Sequence, residues 1–241
     1  KEHGLKDKVD ELLQHPEYKL IICPDSSSSD LEEHKKLRDN GQDVLILDHH
    51  QADEITKDRI LINNQTCNYP NKELSGVGVV YQFCRYIDYL IPVNYADDFL
   101  DLVATGLVRD MMNVRSLETR FLILKGCENI PTNPLLKNLY YLSEYQIDKA
   151  DGLNPFSIGF YIAPYINASI RIGEYDEKMF IFQAMIDFFG DEQILSTKRG
   201  HKVGELETWS VQASRLCSNI KARQQKLRDG ALSEITSQIG V

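Results

Sequence analysis

The sequence predicts an α/β fold with a parallel sheet, and three observations carry that reading. Tyr18–Cys23 is a short apolar run that ends in Pro24-Asp25 and four serines, the pattern of a buried strand running into a polar loop. Asp30–Asn40 follows as a charged helical stretch. Asp43–Leu47 is a second buried apolar run, ending at Asp48-His49-His50. Strand, helix, strand, with strands apolar on both faces, points to a parallel pair joined by a crossover. Both strand ends then open on one edge, where open α/β sheets bind ligands.

The other elements fall in order around that core. Lys6–Leu13 reads as a helix with Leu5, Val9 and Leu12 or Leu13 on one side. Asp30 is placed to cap the next helix, with Glu33 three residues on, and Asn40-Gly41 to close it. Ile60-Leu61-Ile62 is a third strand, ending at Asn63-Asn64. Ser75-Gly76-Val77-Gly78 leads into a helix through Tyr89. Tyr95–Met112 is an apolar-rich helix, with Arg109-Asp110 on it or in the turn after it, and Glu118–Lys125 is helical. From Pro131 to about Gly200 the chain breaks into shorter pieces. His201–Leu227 is a long, half-polar helical stretch, the composition of a connector. The expected division is a domain over residues 1–200 and a connector helix over 201–241 leading towards a second domain.

Bulk properties narrow the function classes. No apolar run approaches the roughly 18 to 20 residues needed to span a bilayer, and no signal peptide opens the chain. A cytoplasmic protein without membrane association is expected. The net charge of −9 argues against a wholly basic nucleic-acid clamp and leaves room for a local basic groove. Five cysteines, none in CxxC spacing, read as free thiols of a reducing compartment. The chain begins at Lys1-Glu2-His3, without methionine, and reads as a fragment.

Chemistry concentrates at the strand ends. Aspartate and histidine together suit a divalent ion, carboxylate supplying hard oxygen and imidazole a borderline nitrogen. Asp25, from the neighbouring strand end, is placed to complete the set, and a bound ion there activates water and neutralises phosphate charge. Two adjacent histidines taken alone are as often a plain polar loop; the buried strand before them and the parallel partner with Asp25 favour the site. Asp30 competes with Asp25 as a ligand, and its position favours a helix cap. The apolar flank of Asp110 (Leu107, Val108, Met111, Met112) places it near the core.

The ordered set resembles the DHH phosphoesterase superfamily, and within it the RecJ-type single-strand exonucleases. Ile21-Ile22-Cys23-Pro24-Asp25 is similar to the strand ending in a metal-binding aspartate, and Leu47-Asp48-His49-His50 to the name-giving motif. Ile62-Asn63-Asn64 resembles a Val-Asn-Pro step, with Asn64 in place of proline. Leu74–Val79 resembles the glycine-rich helix start. Thr105–Met111 resembles the motif that supplies a further metal aspartate, with Arg109 where alanine is usual. Ile162–Arg171 resembles the Pro-Arg-Ile-Asn-Ala-Ala-Gly-Arg segment, with Tyr165 for the first arginine and Ile170 for the glycine. Asn219–Gln225 resembles the start of the inter-domain helix. The likeness runs from Gly4 to about Leu232.

The resemblance implies an α/β, parallel-sheet DHH domain with a helical extension and a long connector helix. It implies metal-dependent phosphodiester hydrolysis on single-stranded DNA, in repair, recombination or phage replication. Asp25, His49 and Asp110 would bind Mn2+ or Mg2+, Asp48 would orient the site, and His50 would meet the scissile phosphate or assist proton transfer. Arg171 and Asn167 would bind substrate, and a single-strand-binding protein is an expected partner. The family's Asp-x-Asp motif would lie upstream of Lys1 and its second domain beyond Val241, so a two-metal site is expected only in the complete protein, and little activity from this chain alone. Two other readings stand beside this one: a phosphodiesterase for short oligonucleotides or cyclic dinucleotides, and a non-catalytic scaffold of the same fold. The oligomeric state is not legible.

Overall fold

The structure is a computed structural model that describes residues 4–52 and 58–239. The opening Lys1-Glu2-His3 lies outside the described residues. The chain forms two compact units, Lys1–Lys125 and Gly126–Val241.

In the first unit, helix α1 (Val9–Leu12) precedes strand β1 (Leu20–Pro24), helix α2 (Leu31–Asp39), strand β2 (Asp43–Asp48) and strand β3 (Ile60–Asn63). Among the described residues these strands make one sheet in the order β1-β2-β3, parallel throughout. The sequence-predicted parallel arrangement is what the chain adopts. Register fixes the functional edge: Pro24 pairs with Leu47 and Asp48 with Asn63, so Asp25, Asp48 and Asn63 end adjacent strands side by side.

One face of the sheet is sealed by α1 and α2. Leu5, Val9, Cys23, Leu37, Val44 and Ile46 form its buried cluster. A Schellman closure ends α2: Gly41 takes a φ of +77°, its N–H bonds the Arg38 carbonyl, and the Gln42 N–H bonds that of Leu37. β2 is buried along nearly its whole length, as an apolar central strand must be. β1 is not buried on both faces, contrary to the expectation. It is an edge strand, and Leu20 and Ile22 on one face are half exposed.

Asp30 also departs from its expected role. It sits at the N-cap position of α2, but its side chain makes no capping bond. Its carboxylate instead accepts the Leu5 N–H at 2.8 Å, tying the segment before α1 to the loop after β1.

Helix α3 (Gly76–Leu90) is followed by a 3-10 turn (Ala96–Phe99), α4 (Leu100–Arg109) and α5 (Leu117–Gly126). The helix expected over 95–112 is therefore split, and α4 ends at Arg109 with Asp110 as its C-cap. Asp110 does not lie near the core. Its side chain is 28% exposed, and Met111, at a φ of +55°, is 89% exposed.

The second unit holds α6 (Pro134–Leu142), α7 (Glu144–Lys149), α8 (Pro155–Ser157), a π-helical turn (Ile158–Ile162), α9 (Ala163–Ile172) and α10 (Tyr175–Met185). Strands β4 (Gln193–Leu195) and β5 (Leu206–Thr208) pair antiparallel, and α11 (Trp209–Ile239) ends the chain. The helix expected from His201 thus begins at Trp209, because Leu206–Thr208 is drawn into the β4 ladder. Within this unit α11 packs on α6, α9 and α10, with Ala213, Cys217 and Ile220 fully buried. Phe189 stacks on Trp209 at 3.8 Å between ring centroids and anchors the start of the helix.

Candidate metal centre

Each strand end contributes one part of the site. Asp25 follows β1 in the left-handed region (φ +55°), a conformation that aspartate tolerates better than most residues. Its N–H still reaches the Leu47 carbonyl at 2.8 Å, so the sheet holds its backbone. The first turn of α3 lies directly against it. A Cβ on Gly76 would come within 2.2 Å of Asp25 Oδ1, so only glycine fits where the helix meets the carboxylate.

Asp48 ends β2 and is 1% exposed. Its Oδ1 accepts the His49 N–H at 2.7 Å, the His50 N–H at 3.3 Å and the His50 ring Nδ1 at 2.7 Å. A carboxylate can only accept, so Nδ1 of His50 carries the hydrogen and Nε2 is the basic atom of that ring. Burial opposes the charge on Asp48, but hydrogen bonds from Ser28, His50 and the His49 backbone outweigh it and hold its carboxyl below the ordinary value.

His49 Nε2 lies 3.3 Å from Asp25 Oδ1. That hydrogen bond raises the His49 pKa above the ordinary imidazole value; partial burial opposes the rise, and the charges of Asp25, Asp48 and Asp110 add to it. The His49 ring is 19% exposed and that of His50 61%, so His49 faces the protein and His50 faces solvent.

Asp25, His49 and His50 can each offer a ligand atom, and these atoms lie within 4.8 Å of one another. One carboxylate oxygen and two imidazole nitrogens are a donor set that fits Mn2+ and accommodates Mg2+ less readily. Asp110 is close enough for its charge to act on His49. Arg109 pairs with Asp110 at 3.5 Å. Arg171 and Asn167 belong to α9 of the second unit, Arg171 exposed in the last helical turn and Asn167 half-buried. Tyr165, where arginine was expected, lies under the Lys221 ammonium at 4.0 Å from its ring centroid.

The residues that brace this corner, to which the sequence assigns no role, include Asn63 and Asn64 of the step that resembles Val-Asn-Pro. Asn63 Nδ2 donates to Ser28 Oγ at 3.1 Å and to the His50 carbonyl at 2.8 Å. Arg59, buried, donates to the Ser28 carbonyl. Asn64, in the proline position, bonds the Asn71 and Leu74 carbonyls, which folds the 64–74 loop back to α3. A polar residue at the end of an apolar strand was the one visible sign of these roles.

Comparison with known proteins identifies the family and the fold. Residues 2–107 match the model of the DHH family, N-terminal domain. The chain belongs to the DHH family. It is 36% identical, over 99% of its length, to YorK, a Bacillus subtilis SPbeta prophage protein whose name describes a single-strand DNA-specific exonuclease. It is 31% identical, over 79% of its length, to the single-stranded-DNA-specific exonuclease RecJ of the same species. The chain spans 40% of YorK and 24% of that RecJ. Its fold matches a crystal structure of exonuclease RecJ bound to manganese, with a TM-score of 0.75 and 20% identity over 98% of this chain and 54% of the other. RecJ of Thermus thermophilus in complex with Mn2+ matches with a TM-score of 0.71 and 21% identity, over 96% of this chain and 32% of that one. Among the described residues no helix is long and apolar enough to cross a membrane.

Proposed function

We propose that this chain is the metal-holding part of a nuclease that hydrolyses phosphodiester bonds of single-stranded DNA from an end. The observation that carries the proposal is the meeting of Asp25 and His49 at 3.3 Å at the C-terminal edge of a parallel sheet, with a His50 ring nitrogen within 4.8 Å of both. The names of YorK and the RecJ proteins support the substrate class.

In this reading Asp25, His49 and Asp110 hold Mn2+ or Mg2+, which would neutralise the phosphate and make water a better nucleophile. Asp48 stays ionised and fixes the His50 tautomer. His50, the more exposed ring, meets the scissile phosphate and takes up a proton at Nε2. Arg171 grips a backbone phosphate through its guanidinium fork, and Asn167 adds a polar contact. The protein acts in the cytoplasm on DNA of repair, recombination or phage replication, beside a single-strand-binding protein.

The test has two arms. Calorimetry with Mn2+ on this chain is expected to show binding that His49→Ala removes. Degradation of 5′-phosphorylated single-stranded DNA by the native protein is expected to need Mn2+ and to be lost in the same variant. No Mn2+ binding by the unaltered chain overturns the metal assignment, and full degradation by the variant overturns the nuclease assignment.

A further inference from the structure

Asn63 stands at the end of β3 opposite Asp48, 1% exposed, and both N–H groups and the oxygen of its carboxamide are hydrogen-bonded. Its two N–H groups go to Ser28 Oγ and to the His50 carbonyl, and its Oδ1 accepts the Gln65 N–H at 2.7 Å. Rotating the carboxamide by half a turn would set its oxygen against the His50 carbonyl and its NH2 against the Gln65 N–H. Both contacts would be repulsive, so the orientation is determined by its partners.

The two acceptors belong to different strand-end loops. Ser28 sits in the loop that begins with Asp25, and Arg59 holds its carbonyl from the other side. His50 closes the turn whose two N–H groups and one ring nitrogen converge on Asp48. We infer that Asn63 is a positioning residue for the metal corner: one carboxamide clamps the Asp25 loop to the His49-His50 turn and so sets the His50 ring on Asp48. The Asn63 carboxamide is committed to these three partners. It acts through the two loops, whose separation decides whether the donor atoms converge. The inference rests on the metal-centre reading above for its functional meaning, and on the hydrogen bonds alone for its structural content.

The experiment is side-chain 15N NMR of histidine-labelled, metal-free chain at a pH where His50 is neutral, beside calorimetry with Mn2+. His50 in the unaltered chain is expected to show one tautomer, with hydrogen on Nδ1. In Asn63→Ala the His50 signal is expected to shift towards mixed tautomers, and Mn2+ affinity to fall by roughly 10- to 100-fold, the usual cost of removing a support behind a metal ligand. A folded Asn63→Ala chain with an unchanged His50 tautomer overturns the inference. Asn63→Leu keeps the side-chain volume while removing both donors and decides the question should Asn63→Ala fail to fold: a shift of the same sign supports the clamp, and an unchanged His50 signal overturns it. Absence of Mn2+ binding in the unaltered chain would overturn the metal reading while the tautomer comparison still judges Asn63.

Discussion

His49 Nε2 and Asp25 Oδ1 meet at 3.3 Å across the ends of two adjacent parallel strands. The pairing sets a proton-binding nitrogen against a carboxylate, and the His49 ring registers it. Asp25→Asn is expected to lower the His49 pKa towards the ordinary imidazole value, because its largest raising cause is removed. An imidazole NMR titration reads this directly. The same variant should weaken Mn2+ binding by at least roughly 100-fold, the upper end of what loss of a support behind a metal ligand costs. An unmoved His49 titration would show that the contact does not exist in solution.

Gly76→Ala tests the approach of α3 to Asp25. The added methyl would sit 2.2 Å from Oδ1 and 2.5 Å from Cβ of Asp25, and the positive φ of Asp25 leaves that residue little backbone freedom. Alanine favours the helix by up to about 1 kcal/mol, so the fold should survive, as circular dichroism would show. Mn2+ affinity is expected to fall by about tenfold or more as Asp25 is displaced. Equal affinity in the two chains would mean that Asp25 can move aside freely.

Asp30→Ala leaves the Leu5 N–H without its acceptor, a bond made to a charged group in a buried setting. The expected cost is about 1.5 to 3 kcal/mol, read from urea unfolding. Asp30→Asn keeps an acceptor oxygen and should cost less. Equal stability of Asp30→Ala and the parent chain would contradict the tie between these segments.

His34 predicts an acid weakness. It is fully buried on α2, and burial first, then the Arg59 guanidinium, lowers its pKa to about 4; Asp30, Asp58 and the Ser27 backbone pull the other way. The folded state keeps the ring neutral while the unfolded chain protonates it at about 6.5. Between those values the unfolded state binds more protons, so stability is full above about pH 6.5, falls as pH drops, and levels off below about 4. The loss attributable to His34 is about 3 kcal/mol at 1.36 kcal/mol per unit. His34→Gln should flatten the stability curve over that window, measured by urea unfolding at a series of pH values; an unaltered slope would assign the acid sensitivity elsewhere.

The parts of the fold that were legible in the sequence are those set by neighbours in the chain. Apolar runs marked β2 and β3, the serines and Asp25 marked the end of β1, and Asn40-Gly41 marked the close of α2. Other features resisted because distant partners decide them. Leu20 and Ile22 look as buried as Val44 and Ile46 in sequence, yet β1 lies at the sheet edge. Leu206–Thr208 has the composition of the helix that follows it, yet β4 supplies backbone partners that the helix would forgo. Asp30 occupies a capping position, yet a bond to Leu5 claims its carboxylate.

By itself, the sequence determined the parallel pairing of β1 and β2, the placement of Asp25 and Asp48-His49-His50 at strand ends, and the DHH family membership that the comparisons bear out. The strand features depend on periodicity and on which residue follows each apolar run, and both are local; the family came from the resemblance of motifs that follow one another in a set order. Only the tertiary structure decided that Asn63 braces both loops, that Gly76 gives Asp25 its room, and that His49 faces the protein while His50 faces solvent. Those facts depend on strand register and on hydrogen bonds that join residues far apart in the chain, such as Asn63 to Ser28. A buried donor must be satisfied by whatever acceptor the packed fold brings to it, and no pattern of neighbouring residues specifies that acceptor.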